Sequence, residues 1–143
     1  MSKELAINQA IDAQMNKILK SMNETMGRPG AFPNGLENAQ LQNLLGVTRE
    51  TGSVEVVKNY IRYQVGRQKK TWGYTGPDKK TFGDQLIEEL DKLEKIAQGI
   101  VNDDKIRGGQ EDLDRVWMRL TQLYLGNLNR YFRYVKTPKG DRR

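Results

Sequence analysis

Residues 110–135 read QEDLDRVWMRLTQLYLGNLNRYFRYV, and this stretch decides the fold. Leu113, Trp117, Leu120, Tyr124, Leu128, Tyr131 and Val135 recur every three or four residues, which places them on one side of an α-helix. Val116, Leu123 and Phe132 broaden the stripe. Glu111, Asp112 and Asp114 open the helix, and Arg130, Arg133 and Lys136 close it. Each sign sits at the end that the helix dipole favours. Pro138 stops the helix. A stripe of about six turns needs apolar partners, and the rest of the chain supplies them.

Upstream, Leu86, Leu90, Leu93, Ala97 and Ile100 mark a helix from near Thr81 to Val101, with Ile87 beside the row. Glu88 with Lys92 and Asp91 with Lys95 are favourable i,i+4 pairs on it. Ser53 is a good N-cap for a further helix ending near Gly66-Arg67. Its buried row is Val54, Val57, Ile61 and Val65, so Lys58, Arg62 and Lys69 are expected to point outward. Leu41, Leu44, Leu45 and Thr48 line a helix from Leu36 to about Glu50. Ile7, Ile11, Met15, Ile18 and Met22 line the first, from about Ser2 to Asn23.

Loops carrying Gly and Pro at residues 27–35 and 71–83, and a polar loop ending in Gly108-Gly109 at 102–110, separate these segments. Strand-period alternation, repeats and low-complexity blocks are missing. The expected fold is all-α, a compact bundle of about five helices forming one domain over residues 1–136. Residues 137–143 read as a basic flexible tail.

Composition narrows the chemistry. The 143 residues include no Cys and no His. Disulfides, thiol nucleophiles and Cys-type zinc sites are thereby excluded, as are the commonest general base and metal ligand. Phosphate-cradling Gly-Lys-Ser/Thr loops do not occur. Asp103-Asp104 lacks an EF-hand pattern and reads as a solvated loop. Ser53 has no partner for nucleophilic chemistry and reads as a cap. Neither a catalytic set, a metal site nor a cofactor is expected. The chain lacks a long apolar run and a secretory signal, so a cytoplasmic protein off the membrane is expected.

The charge is unevenly distributed. Residues 55–80 carry +5, residues 81–114 carry −6 and residues 115–143 carry +7, within a net +6. If the two basic segments pack side by side, they form one positive flank that attracts phosphates. In both segments, cations alternate with aromatics: Lys58-Asn59-Tyr60-Ile61-Arg62-Tyr63-Gln64-Val65-Gly66-Arg67 and Asn129-Arg130-Tyr131-Phe132-Arg133-Tyr134-Val135-Lys136. Arg and Lys neutralise phosphates, and Tyr faces stack on bases. Tyr124 and Tyr131 belong to the apolar row. Tyr63 and Tyr134 are open to either role, and Trp72 and Tyr74 either cover the core or meet a partner.

At these segments the chain resembles the small subunit of type III-A (Csm) CRISPR–Cas interference complexes. The matching features are Leu41-Gln42-Asn43-Leu44-Leu45, the Tyr-x-x-Gly-Arg element Tyr63-Gln64-Val65-Gly66-Arg67, and the closing helix with Leu123-Tyr124 and Asn129-Arg130-Tyr131-Phe132-Arg133-Tyr134. They span about residues 36–136. The chain ends Thr137-Pro138-Lys139-Gly140 where that family often carries an aromatic-Gly-Gly stretch. Its first helix and Phe32-Pro33-Asn34-Gly35-Leu36 turn are similar to the related Cmr-type small subunit.

The resemblance implies a non-catalytic RNA-binding structural subunit of a type III effector. Its partners would be crRNA and target RNA, the backbone subunits, the large polymerase-like subunit, and further copies stacked head to tail. Arg67 best matches a family motif, and Arg62, Arg130 and Arg133 lie in matched helices. Charge and spacing add Arg49, Lys58, Arg119 and Lys136. The acidic fourth helix would face a basic neighbour. Two other readings stand beside this one. One is a helical protein–protein adaptor using Trp72 and Tyr74. The other is a carboxylate enzyme, which needs Glu88, Asp91, Asp103 or Asp104 to converge.

Overall fold

A computed structural model of the chain describes residues 2–137. Each of its five helices starts where a side chain can accept from free backbone N–H groups. Ser2 Oγ accepts from Leu5 N–H at 3.1 Å and opens α1, Lys3–Met26. Glu37 and Gln40 form a reciprocal capping box for α2, Asn38–Glu50. Ser53 caps α3, Val54–Arg67, through Val56 N–H at 3.3 Å. Thr81 caps α4, Phe82–Val101, through Asp84 N–H at 3.0 Å. At α5, Gln110–Lys136, Asp112 reaches back to the Gly109 N–H at 3.2 Å. The only β pairing among the described residues is an isolated bridge between Thr75 and Thr81.

The helices alternate in direction. Gln122 Nε2 donates to Thr48 O at 3.1 Å and Lys136 Nζ to Leu36 O at 2.9 Å, so α2 and α5 run antiparallel. Glu4 bonds Arg115 near the start of α1, and Tyr131 O–H donates to Asn23 O near its end, so α1 and α5 run parallel. The start of α4 meets the end of α3, where Gly83 lies against Val65 and Ile61. α5 packs against all four other helices, whereas α1 and α2 do not touch. One flank of α5 is therefore left uncovered between them.

The core follows the expected rows. Leu44, Val57, Ile61, Leu86, Leu90, Ala97, Leu120 and Leu128 are fully buried or nearly so. Leaving water contributes about 25 cal/mol per Å² of apolar area, so these rows dominate the stability. The two long loops, 27–37 and 68–81, close one end of the bundle. Phe32 sits between Phe132, at 5.0 Å between centroids, and Phe82, at 6.0 Å; Trp72 adjoins Phe82 at 5.4 Å. Gly35 has φ +86, which lets the chain turn sharply and bury Leu36 completely. Val135 departs from the expected row: it is 37% exposed, because the α5 stripe leaves the core after Phe132. Pro138 and most of the basic tail lie outside the described residues. No helix among the described residues is long and apolar enough to cross a membrane.

Candidate nucleic-acid interface

The uncovered flank of α5 is a line of arginines. Arg115, Arg119, Gln122, Gly126, Arg130 and Arg133 follow one another by four or three residues, so they share one face. All four arginines are exposed. Arg115 is occupied, with Glu4 at 3.0 Å and Asp112 at 3.5 Å. Arg119, Arg130 and Arg133 make no ion pair among the described residues. Arg119 borders a depression of about 260 Å³ with Asn8 and Ile11, and Arg130 one of about 270 Å³ with Asn23, Asn127 and Tyr131. Both lie in the groove between α1 and α5. At 1.5 Å rise per residue, Arg119 and Arg130 stand about 16 Å apart along the axis, roughly five nucleotides of a stacked strand.

The other expected contacts divide. Lys136 is tied to Leu36 O, and its ammonium lies 5.2 Å from the Phe132 ring centroid. Arg49 is exposed in the last turn of α2, where a cation suits the helix end. Arg62 donates to Asn59 Oδ1 at 2.7 Å and remains exposed. The Arg67 guanidinium lies 5.8 Å from the Tyr63 ring centroid.

Lys58 corrects the sequence-based expectation. It does not point outward but is buried, 7% exposed. Its ammonium binds Asp91 at 2.7 Å and Glu55 at 3.3 Å, 5.8 Å from the Trp117 ring centroid. The row Val54, Val57, Ile61 brings position 58 to the seam with α4, where a carboxylate receives it. Burial pulls its pKa down, but the hydrogen bonds it donates to Asp91 and Glu55 outweigh that and hold it above the ordinary lysine value.

The single flank expected for the two basic segments does not form. α3 packs on α2, α4 and the inner side of α5, while the arginine line looks out between α1 and α2. Arg62 and Arg67 thus face away from Arg119, Arg130 and Arg133. What the two segments share is an end of the bundle. The last two turns of α1, α3 and α5, the first two of α2 and α4, and the two long loops carry eleven Lys/Arg against five Asp/Glu. The opposite end carries seven against eight, so the surplus positive charge sits at one pole.

α4 is not the free acidic face its composition suggests. Asp91 holds Lys58, Glu88 pairs with Lys80, and Glu89 is buried with Gln85 and Lys92. Asp103 and Asp104 lie in the turn after α4, so the four carboxylates considered for catalysis do not converge. Among the described residues, no group of three acidic side chains could hold a metal ion.

No family model, curated protein or solved structure matches the chain.

Sequence periodicity did not single out the asparagines of the α1–α5 groove, Asn8, Asn23 and Asn127. Their only signal was position: they follow the apolar row of α1, or flank that of α5, by one step. Trp72, left open between core and partner, is core at 1% exposure, whereas Tyr74 is 47% exposed.

Proposed function

We propose that the chain is a non-catalytic nucleic-acid-binding subunit that grips a phosphate backbone along α5, as a structural component of a type III CRISPR effector. The observation that carries this reading is the line Arg119, Arg130, Arg133 on a flank that no helix covers. Exposed cations at this spacing neutralise phosphates without reading bases, which suits a subunit whose partner RNA supplies the sequence by pairing. The resemblance across residues 36–136 supplies the effector context: crRNA and target RNA, backbone subunits and a large polymerase-like subunit as partners.

The polar distribution of charge favours head-to-tail contact between copies, the basic end of one against the acidic side chains at the far end of the next. Such contacts steer association and weaken with salt.

The test is fluorescence anisotropy with a short labelled single-stranded RNA at several salt concentrations. The reading expects binding that is sequence-tolerant, weak for one copy and strongly salt-dependent. Simultaneous Arg119→Ala, Arg130→Ala and Arg133→Ala should weaken it for every sequence alike. Unaltered binding by that variant would reject the α5 surface.

A further inference from the structure

The outer face of α3, on the side away from the arginine line, carries an aromatic ring that the phosphate contacts leave unused. Tyr63 is 61% exposed, the most exposed large hydrophobic side chain among the described residues. It stands in the interior of a capped helix rather than in a loop. Its neighbours on that face are Asn59 one turn before, Arg62 beside it, and Gly66 and Arg67 one turn after. A Cβ at Gly66 would meet nothing within 4 Å, so the space beside the ring is open. Arg67 lies over the ring, 5.8 Å from its centroid, and the ring remains largely exposed. The seam beneath is fixed by Lys58, locked between Glu55 and Asp91.

We infer that Tyr63 is a stacking platform for one unpaired nucleobase, with Arg62 and Arg67 placed for the adjoining phosphates. The inference rests on the nucleic-acid reading above, and adds to it a second, separate contact that requires a base. A flat ring, flanked by cations and with no carboxylate at positions 59, 60, 62, 66 or 67, matches a single strand by shape and charge. A duplex would keep its bases stacked on each other and leave the ring unused. With α5 gripping backbone on one side and α3 holding a base on the other, one chain touches nucleic acid at two places.

The experiment compares an adenine-containing RNA oligonucleotide with an abasic oligonucleotide of the same length and charge. Binding is measured for wild type, Tyr63→Ala, Tyr63→Trp and the triple α5 variant, with circular dichroism confirming unchanged helicity. Stacking predicts that Tyr63→Ala weakens the base-bearing strand about tenfold and leaves the abasic strand unchanged, while Tyr63→Trp retains full affinity. Equal affinity of Tyr63→Ala and wild type for both strands, with the triple variant impaired on both, would overturn the platform and leave the α5 reading standing. A wild-type chain that binds neither strand at low salt would overturn both.

Discussion

Lys58 Nζ lies 2.7 Å from Asp91 Oδ1, across the seam between α3 and α4. The lysine side chain is 9% exposed and the aspartate 49%, so the pair is half in water. It joins the basic segment 55–80 to the acidic segment 81–114. One positive and one negative charge that appeared available to outside partners are consumed inside the molecule.

Removing the two partners should have unequal effects. Asp91→Ala leaves a buried ammonium with only Glu55, and should cost about 1–2 kcal/mol in urea denaturation. Lys58→Met keeps an unbranched stem beside Trp117 and removes the charge, and should stay within about 1 kcal/mol of wild type. The reverse order would mean that stem packing, not the ion pair, holds the seam.

Tyr124 makes alkaline stability a second test. Its side chain is buried, and its hydroxyl has no hydrogen-bond partner among the described residues. Burial first, and the Glu89 charge second, push its pKa far above the ordinary 10.0. The folded phenol stays neutral while the unfolded one ionises above pH 10.0, so stability is complete below that pH and is lost as pH rises further, by up to about 1.4 kcal/mol per unit. The raised pKa of Lys58 acts with the same sign, its contribution fading above about pH 10.5. Tyr124→Phe should flatten the alkaline loss measured by denaturation at pH 9 to 11, about a unit either side of the tyrosine's ordinary value. At neutral pH it should leave stability equal or raised by up to about 1 kcal/mol, because an unsatisfied hydroxyl is removed.

Most of the bundle could be read from periodicity because burial repeats with the helix. Ser53 caps α3 as its place in the sequence signals, and Leu86, Leu90 and Leu93 are buried as their spacing requires. Side-chain direction at the edge of a row was not legible. Position 58 borders Val57 and Ile61, and whether a lysine there snorkels out or turns in depends on Asp91, which lies 33 residues away. The relative placement of the two basic segments was hidden for a similar reason. Charge along a sequence says nothing about which neighbour covers which flank, and only the gap between α1 and α2 exposes the α5 arginines.

Two glycines in helices should respond oppositely to alanine. Gly83, whose N–H donates to Trp72 O at 2.9 Å, lies where a Cβ would collide with Val65 and come within 3.1 Å of Ile61 Cγ2. Gly83→Ala should cost about 1–3 kcal/mol by forcing α3 and α4 apart. A Cβ at Gly126 meets nothing within 4 Å, so Gly126→Ala should gain about 0.5–1 kcal/mol from helix propensity. Thermal unfolding of the two variants separates them, and a stabilised Gly83→Ala would show the α3–α4 seam to be loose.

If the chain binds RNA as proposed, the salt dependence of that binding distinguishes free arginines from engaged ones. Each phosphate neutralised on a single strand contributes about 0.7 to the slope of log K against log salt. Arg119, Arg130 and Arg133 have no acidic partner among the described residues, so their joint replacement by alanine should lower the slope by about 2. Arg115 lies on the same line but is held by Glu4 and Asp112, so Arg115→Ala should change the slope far less than any of the three. Lys58→Met should not change it, since that ammonium faces Asp91 rather than solvent. Equal slope changes for Arg115→Ala and Arg130→Ala would mean that the ion pairs of Arg115 open on binding and that the whole line acts as one surface. An unchanged slope for the triple variant, with Arg62→Ala and Arg67→Ala lowering it instead, would move the phosphate grip from α5 to α3.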